Sequence, residues 1–217
     1  MGRYKKIPLQ RIIDNYLGRI FNLALFLTKN VKKVGFLKNP KKITVFRLSS
    51  IGDSVLLLPS IKNFKEKIGA EIIMVCSREN FPIFEGQSFI DKIIILDNKS
   101  INPFKILKIL MKIKKENADL SIDTTHSSNM SAFFSYFGGK FQIGFSNPKT
   151  NIRNKVYDKT VRLNQKRHMV FNYLDLFNLT GIGYDEKKIG LVKPVYSNKE
   201  KNSIKEKLGN KRKLVGI

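Results

Sequence analysis

The chain has 217 residues, 42% of them hydrophobic, and a formal net charge of +24 at pH 7. This length supports one well-packed domain or one and a half, and the single cysteine, Cys76, excludes an internal disulfide and a cysteine-based metal site. The charge favours nucleic acid or an anionic membrane as a partner, although lysines scattered beside Ile and Asn are also what an AT-rich genome encodes. An aromatic–glycine RNP pattern, an arginine cluster and zinc-finger spacing, which would indicate nucleic-acid binding, are missing from the sequence.

Residues 1–42 are predicted to form a basic amphipathic extension. Ile7 to Leu27 places apolar residues at helical spacing, but its uncharged run of about nine residues is short against the ~20 that a spanning helix needs. No small-residue cleavage site of a secretory signal follows it. The basic residues bordering the apolar face are Lys5, Lys6, Arg11, Arg19, Lys29, Lys32 and Lys33. The pattern suits a helix lying in the headgroup region of an anionic leaflet, and packing against the domain or a partner is the alternative.

The stretch from Ile43 to Ile61 predicts a strand, a tight turn and a helix. Ile43 to Leu48 is apolar and β-branched, as in a buried strand. The small residues of the turn are Ser49, Ser50 and Gly52. Asp53 is expected to cap the helix, and a helix cap is one sufficient explanation for this residue. Such a turn lies where open α/β sheets bind their ligands, but without a G-x-G-x-x-G pattern it predicts no dinucleotide site.

The rest of the chain alternates strands and helices. Further strands are predicted at Glu71–Cys76, Lys92–Leu96, Ala118–Ile122, Phe141–Phe145 and Lys159–Leu163. Helices are predicted at Pro103–Asn117, Met130–Phe137 and Gln165–Leu179. Pro59 is expected to kink the first helix or to delay its start. The fold class is therefore α/β, with a Rossmann-like parallel sheet covered by helices on both faces.

Polar residues after the later strands are candidates for a binding site. Asp123 and His126 lie in a polar turn after the fourth strand. Ser146 to Asp158 is predicted to be a long exposed loop, whose basic residues either clamp an anionic ligand or are simply solvated. These residues are Lys149, Arg153 and Lys155. His168 is predicted in the first turn of the last helix, where capping or solvation is the alternative to a functional role.

The chain divides into three predicted parts: the extension 1–42, an α/β domain 43–192, and a segment 193–217. The last segment indicates a linker, a charged helix from Ser197 to Leu208 and a new strand from Lys213 to Ile217. Because a fold does not naturally end on such a strand, we expect the sequence to be truncated.

The residues from Arg47 to Pro59, R-L-S-S-I-G-D-S-V-L-L-L-P, resemble the opening motif of glycosyltransferase family 9, the heptosyltransferases of lipopolysaccharide assembly. Similar segments follow in the family's order at Ala118–Asp123, Phe141–Phe145 and His168–Ile182. The similarity covers about Ile43 to Ile217. It implies a two-domain GT-B enzyme whose amino-terminal domain binds the acceptor and whose carboxyl-terminal domain binds the nucleotide-sugar, with only the former complete here.

The resemblance also implies site residues and partners. Asp53 matches the family's base in a displacement that inverts the anomeric carbon without a metal or a cofactor, with a nucleotide-sugar such as ADP-heptose as co-substrate. The residues expected to bind the acceptor are Ser49, Ser50, Gly52, Asp123, His126, Lys149, Arg153, Lys155 and His168. Thr125 and His126 stand where many members have glutamine and glycine, so the resemblance does not define the identity of the acceptor.

A lipopolysaccharide or related glycolipid acceptor implies a cytoplasmic enzyme in peripheral contact with the inner face of the membrane, without a specific nucleic acid. The isolated chain is expected to be inactive because the donor domain is missing. The alternative is a non-enzymatic basic protein that binds nucleic acid or an anionic membrane.

Overall fold

The computed structural model describes residues 9–28, 39–96, 103–146, 151–186, 189–193, 195, 202, 203 and 206. The strands are β1 (Lys42–Arg47), β2 (Glu71–Ser77), β3 (Lys92–Leu96), β4 (Leu120–Asp123), β5 (Phe141–Ser146) and β6 (Lys159–Arg162). The helices are α1 (Leu9–Thr28), α2 (Ile51–Ile68), α3 (Phe81–Phe84), α4 (Pro103–Lys115), α5 (Asn129–Tyr136), α6 (Asn151–Asn154) and α7 (Met169–Asn178). The strand predicted at Lys213–Ile217 and most of the helix predicted at Ser197–Leu208 lie outside the described residues.

The strands form a single parallel sheet in the order β3-β2-β1-β4-β5-β6. The chain builds outward from β1 to β3, crosses back to place β4 beside β1, and then builds outward on the other side. This confirms the predicted α/β Rossmann-like fold. The point at which the order reverses, between β1 and β4, is where open α/β sheets form a crevice at the carboxyl ends of their strands.

Helices cover both faces of this sheet, because its strands are apolar on both sides. On one face, Leu57, Ile61 and Phe64 of α2 are buried with Phe177 of α7, and the rings of Phe64 and Phe177 meet edge to face at 5.0 Å. On the other face, Ile113 of α4 and the phenylalanines of α5 pack against the sheet. The two apolar layers fix the positions of β1 and β4 between them.

Helix α1, within the predicted extension, packs on α5. The ring of Phe21 stacks on Phe133 with centroids 4.7 Å apart, and the Asn22 side-chain amide donates a hydrogen bond of 3.1 Å to the Asn129 carbonyl. A Cβ atom at Gly18 would lie 2.6 Å from the Asn129 Cβ, so the two helices approach this closely because Gly18 has no side chain. This part of the extension therefore belongs to the folded domain.

One local prediction about the first helix is wrong. Helix α2 begins at Ile51 with Ser50 at the capping position, and Asp53 lies inside the first turn. Asp53 is not the cap because its carboxylate pairs with Arg47. Pro59 is buried within α2 and does not delay its start, so a kink at Pro59 stays a prediction. Among the described residues no helix combines the length and apolarity needed to cross a bilayer.

The prediction that Ser146 to Asp158 is an exposed loop is also wrong for its second half. Residues 147–150 lie outside the described residues, but Asn151–Asn154 forms α6, and Arg153, Val156 and Tyr157 are buried. A polar, turn-rich composition indicates exposure only when the polar groups lack partners inside the protein. Here Arg153 and Tyr157 both bond to the carboxylate of Asp123.

The buried position of Cys76 in β2 gives a direct test of the fold. Its side chain is fully buried, and burial raises the pKa of the thiol to about 12, so the native thiol is both inaccessible and protonated. We expect no reaction of the native chain with a thiol reagent at mildly alkaline pH, and one modified cysteine after unfolding in denaturant. Rapid labelling of the native chain would contradict the central position of β2.

Candidate active site

The candidate site lies at the switch point between β1 and β4. The turn that follows β1 leads into α2, and the turn that follows β4 leads into α5. Thr124 ties the two turns together, because its backbone N–H and its hydroxyl both donate to the Phe46 carbonyl, at 3.1 Å and 2.6 Å. Side chains from both turns consequently face the same crevice.

Arg47, the last residue of β1, carries a buried positive charge into this crevice. Its side chain is 1% exposed. One terminal nitrogen donates to the Thr124 carbonyl at 2.9 Å, and the other donates to Oδ2 of Asp53 at 2.5 Å. The guanidinium lies over the ring of Tyr173, 5.8 Å from its centroid. Burial of an unpaired charge costs several kcal/mol, so the Asp53 carboxylate stabilises the fold as the counter-charge of Arg47.

The Asp53 side chain is partly exposed to solvent although its carboxylate pairs with Arg47. Its side chain is 27% exposed, and it sits in the first turn of α2, where the helix dipole favours a negative charge. Arg47 engages Oδ2, so the second oxygen remains for a ligand. A partly exposed carboxylate fixed by a buried guanidinium is an arrangement that can accept a proton from a bound hydroxyl group.

The turn before Asp53 is strained and open. Ser50 has φ of 65°, a left-handed conformation that is unfavourable for a residue with a side chain. Its hydroxyl does not cap α2. Ser49, Ser50 and Gly52 are exposed, and a Cβ atom at Gly52 would meet no atom within 4 Å. Backbone strain of this kind is concentrated at binding and catalytic sites, so the turn is a candidate contact for a ligand.

A second buried ion pair lies behind the β4 turn. Oδ1 of Asp123 accepts from the Thr125 N–H at 2.9 Å and from the Ser131 hydroxyl at 2.6 Å. Oδ2 accepts from Arg153 at 3.2 Å and from the Tyr157 hydroxyl at 2.5 Å. Burial raises the pKa of Tyr157, so its hydroxyl stays protonated and donates. The carboxylate is fully buried and has four donors.

Arg153 has all of its nitrogens engaged by the protein. Its Nε donates to the Ser128 carbonyl at 3.0 Å, one terminal nitrogen donates to the Phe145 carbonyl at 2.7 Å, and the other bonds to Asp123 and to the Thr125 carbonyl. The observed role of Asp123 and Arg153 is to fasten α6 beneath the β4 turn. Direct binding of an acceptor by either residue stays a prediction.

Gly144 makes this arrangement sterically feasible. It pairs with Asp123 across β4 and β5, and a Cβ atom there would lie 2.5 Å from Cζ of Tyr157. The aromatic ring occupies the space that a side chain at position 144 would need. The Tyr157 hydroxyl reaches Asp123 because this residue is glycine.

His126 lies in the β4 turn, among the charges of both ion pairs. It is partly buried, and its Nδ1 has no hydrogen-bond partner among the described residues. Burial lowers the pKa of His126, and the charges of Arg47 and Arg153 lower it further, against the opposing effect of Asp53 and Asp123. His126 is therefore neutral at neutral pH.

The remaining predicted residues are His168, Lys155 and Lys149. His168 is exposed and caps α7, with Nδ1 accepting from the Val170 N–H at 3.4 Å, which supports the capping interpretation. Lys155 is exposed just after α6. Lys149 lies outside the described residues. Among the described residues no cluster of His, Cys, Asp and Glu could hold a metal ion.

The sequence interpretation assigned no role to Arg47, Tyr157 or Tyr173. A signal for Arg47 existed, because a charged residue ends an otherwise apolar buried strand and must find a partner there. No comparable local signal marked Tyr157, whose partner is 34 residues away in the chain.

Fold and site together define a doubly wound α/β domain with a carboxylate at its switch point. The structure is similar to a glycosyl transferase of family 9 from Veillonella parvula, with a TM-score of 0.67 and 17% identity over 79% of this chain and 50% of that one. It is also similar to the E. coli heptosyltransferase WaaC with ADP-2-deoxy-2-fluoro heptose, with a TM-score of 0.61 and 15% identity over 70% of this chain and 52% of that one.

A further similar structure is the E. coli ADP-heptose lps heptosyltransferase II, with a TM-score of 0.57 and 17% identity over 79% and 51% of the two chains. The chain thus spans about half the length of the solved structures that it matches. Neither the protein-family models nor the curated protein sequences matched it. At these identities the likeness confirms the fold that the resemblance implied.

Substitution of Gly144 tests the packing beneath the β4 turn. Gly144→Ala should lower the free energy of unfolding by about 1–3 kcal/mol, because the new methyl group displaces Tyr157 from Asp123. Gly183→Ala is the matched control, since a Cβ atom there meets nothing within 4 Å, and it should stay within about 0.5 kcal/mol of the wild type. Equal effects in urea unfolding would contradict the packing of Tyr157 on β5.

The lowered pKa of His126 predicts a pH-dependent stability. Above the ordinary pKa of 6.5 neither the folded nor the unfolded chain protonates this histidine. Below it the unfolded chain binds a proton that the folded chain excludes, so stability falls as the pH falls. The stability of the wild type should therefore decline more steeply on acidification than that of His126→Asn. Parallel curves for the wild type and His126→Asn would contradict the buried environment of His126.

Proposed function

We propose that this chain is the acceptor-binding half of a family 9 glycosyltransferase, which transfers a sugar, heptose, from a nucleotide-sugar to lipopolysaccharide or a related glycan. The motif from Arg47 to Pro59 and the fold both support this proposal. One of the similar structures carries an ADP-heptose analogue, and another is named for ADP-heptose and lps. The proposed location is cytoplasmic, at the inner face of the membrane.

The observation that carries the proposal is the Asp53 carboxylate, held by Arg47 at the switch point and still 27% exposed. An inverting transfer needs a base that accepts the proton of the acceptor hydroxyl as its oxygen attacks the anomeric carbon and the nucleotide diphosphate leaves. A fixed carboxylate within hydrogen-bond reach can do this without a metal. Because Arg47 engages Oδ2, Oδ1 would receive the proton.

The surroundings of Asp53 suit a polar acceptor. The exposed turn of Ser49, Ser50 and Gly52 offers hydroxyl groups and backbone N–H groups at the amino end of α2, which favours anionic groups such as phosphates. Neutral His126 lies in the β4 turn and would hydrogen-bond a sugar hydroxyl. Lys149 and Lys155 are proposed to attract negative groups farther along the acceptor.

The nucleotide-sugar is proposed to bind to a second α/β domain. The part of this chain that matches spans only about half of each similar structure, and transfer depends on holding both substrates in one cleft, an effect that can reach roughly 7–11 kcal/mol. These 217 residues without a donor domain would accordingly transfer no sugar. Nucleotide-sugars should then leave the melting temperature of the chain unchanged.

Replacement of Asp53 tests the catalytic assignment in a protein that joins this chain to a donor-binding domain. Asp53→Asn should reduce turnover by at least ~10²-fold, the usual scale of a general base. The amide oxygen can still accept a hydrogen bond from Arg47 but does not neutralise its charge, so the variant should melt cooperatively at a lower temperature, and turnover would be compared below that temperature. Turnover would be measured by release of the nucleotide diphosphate.

The matched control is Glu66→Gln, an acidic residue near the far end of the same helix with an exposed partner, Lys62. It should keep wild-type turnover. Wild-type turnover of Asp53→Asn, in a protein that transfers sugar and melts cooperatively, would remove Asp53 from the mechanism.

A further inference from the structure

Helices α1 and α4 each turn an apolar stripe away from the protein. The exposed apolar residues are Tyr16, Ile20, Leu23 and Leu27 on α1, and Phe104, Leu107 and Met111 on α4. Their spacings of three and four residues place each set along one side of its helix. Leu27 is 75% exposed and Phe104 is 82% exposed. Apolar stripes of this size are unusual on a free protein surface and mark interaction sites.

The two stripes lie on the same side of the molecule. Phe21 and Leu25 of α1, and Ile106, Ile109 and Ile113 of α4, pack inward on one apolar cluster. Both helices therefore cover the same face of the sheet, and their exposed stripes both point away from it. We call the seven exposed residues, Tyr16, Ile20, Leu23, Leu27, Phe104, Leu107 and Met111, the α1–α4 face.

Positive charge borders the α1–α4 face. The exposed basic residues of the two helices are Arg19, Lys105, Lys108, Lys112, Lys114 and Lys115. Neither α4 nor the part of α1 from Tyr16 to Thr28 contains an acidic residue. The partner of this face must therefore offer negative charge around an apolar interior.

The chemistry discriminates among the partners. A second copy of the chain would present the same lysines, so two such faces would repel one another. Nucleic acid supplies negative charge but leaves the exposed aliphatic side chains of Ile20, Leu23 and Leu107 without an apolar environment. An anionic bilayer supplies both, with phosphates at its surface and acyl chains immediately below.

We propose that the α1–α4 face docks on an anionic lipid bilayer. The apolar stripes enter the boundary between headgroups and acyl chains, and the lysines of α4 contact lipid phosphates. The surface thus includes a helix of the α/β domain itself, together with the amino-terminal extension. Docking needs neither donor nor acceptor, so its test is independent of sugar transfer.

The experiment is co-sedimentation of the full 217-residue chain with vesicles of phosphatidylcholine, with and without phosphatidylglycerol. The wild type should bind the anionic vesicles at least about tenfold more tightly than the neutral ones, since each lysine near an anionic surface contributes. Two apolar variants, Leu107→Gln with Met111→Gln and Ile20→Gln with Leu23→Gln, should each weaken binding by roughly tenfold or more. These exposed side chains add little to folding, which cooperative melting would verify.

Matched control variants distinguish docking through the α1–α4 face from a general effect of exposed apolar residues or of net charge on vesicle binding. Leu191→Gln replaces a leucine that is 85% exposed outside the face, and should leave binding within about twofold of the wild type. A triple change of Lys105, Lys108 and Lys112 to Gln should weaken binding by at least about tenfold. The same triple change at the exposed Lys62, Lys166 and Lys193 should weaken it far less.

Three results would overturn the proposal. The first is wild-type binding by the apolar variants. The second is equal loss in the two lysine triples, which would assign attachment to net charge alone. The third is a dimer, seen by sedimentation without vesicles and dispersed by the apolar variants, which would make the face an interface between copies of the chain.

Discussion

The site depends on the buried charge of Arg47. A guanidinium that is 1% exposed at the end of an apolar strand depends on a counter-charge and hydrogen-bond acceptors inside the protein. The Thr124 carbonyl and the Asp53 carboxylate engage the two terminal nitrogens from opposite sides of the switch point, and Nε has no hydrogen-bond partner among the described residues. The Arg47 side chain thus fixes the β4 turn against β1 through one hydrogen bond and holds the Asp53 carboxylate at the crevice through the other.

A second arginine–aspartate ion pair lies on the other side of the β4 turn, where Asp123 and Arg153 are both fully buried. The two pairs differ in access to solvent, which divides their roles. Asp123 has four donors and no exposed surface, so it supports the structure, whereas Asp53 has one strong partner and an open side. A buried framework with one accessible carboxylate is the preorganisation that positioned proton transfer requires.

Sequence alone predicted the sheet and the turn that carries Asp53, because the signals for these features lie close together in the chain. Apolar runs such as Ile43–Leu48 marked the strands, and small residues beside Asp53 marked the turn. The supporting network could not be predicted, since Arg47 meets Thr124 across 77 residues and Arg153 meets Asp123 across 30. Local composition therefore placed Arg153 in solvent. Local composition also did not decide whether the amino-terminal helix packs on the domain. The stacked rings of Phe21 and Phe133 show that α1 does so.

The central claim is that Arg47 and Asp53 act as one unit, and a double-mutant cycle measures this directly. The free energy of unfolding in urea would be determined for the wild type, Arg47→Met, Asp53→Ala and the double variant. We predict that the double variant is more stable than the sum of the single effects implies, with a coupling energy of about 0.5–3 kcal/mol. Additive effects, within about 0.3–0.5 kcal/mol, would show that the two side chains do not support one another and would contradict the account of the site.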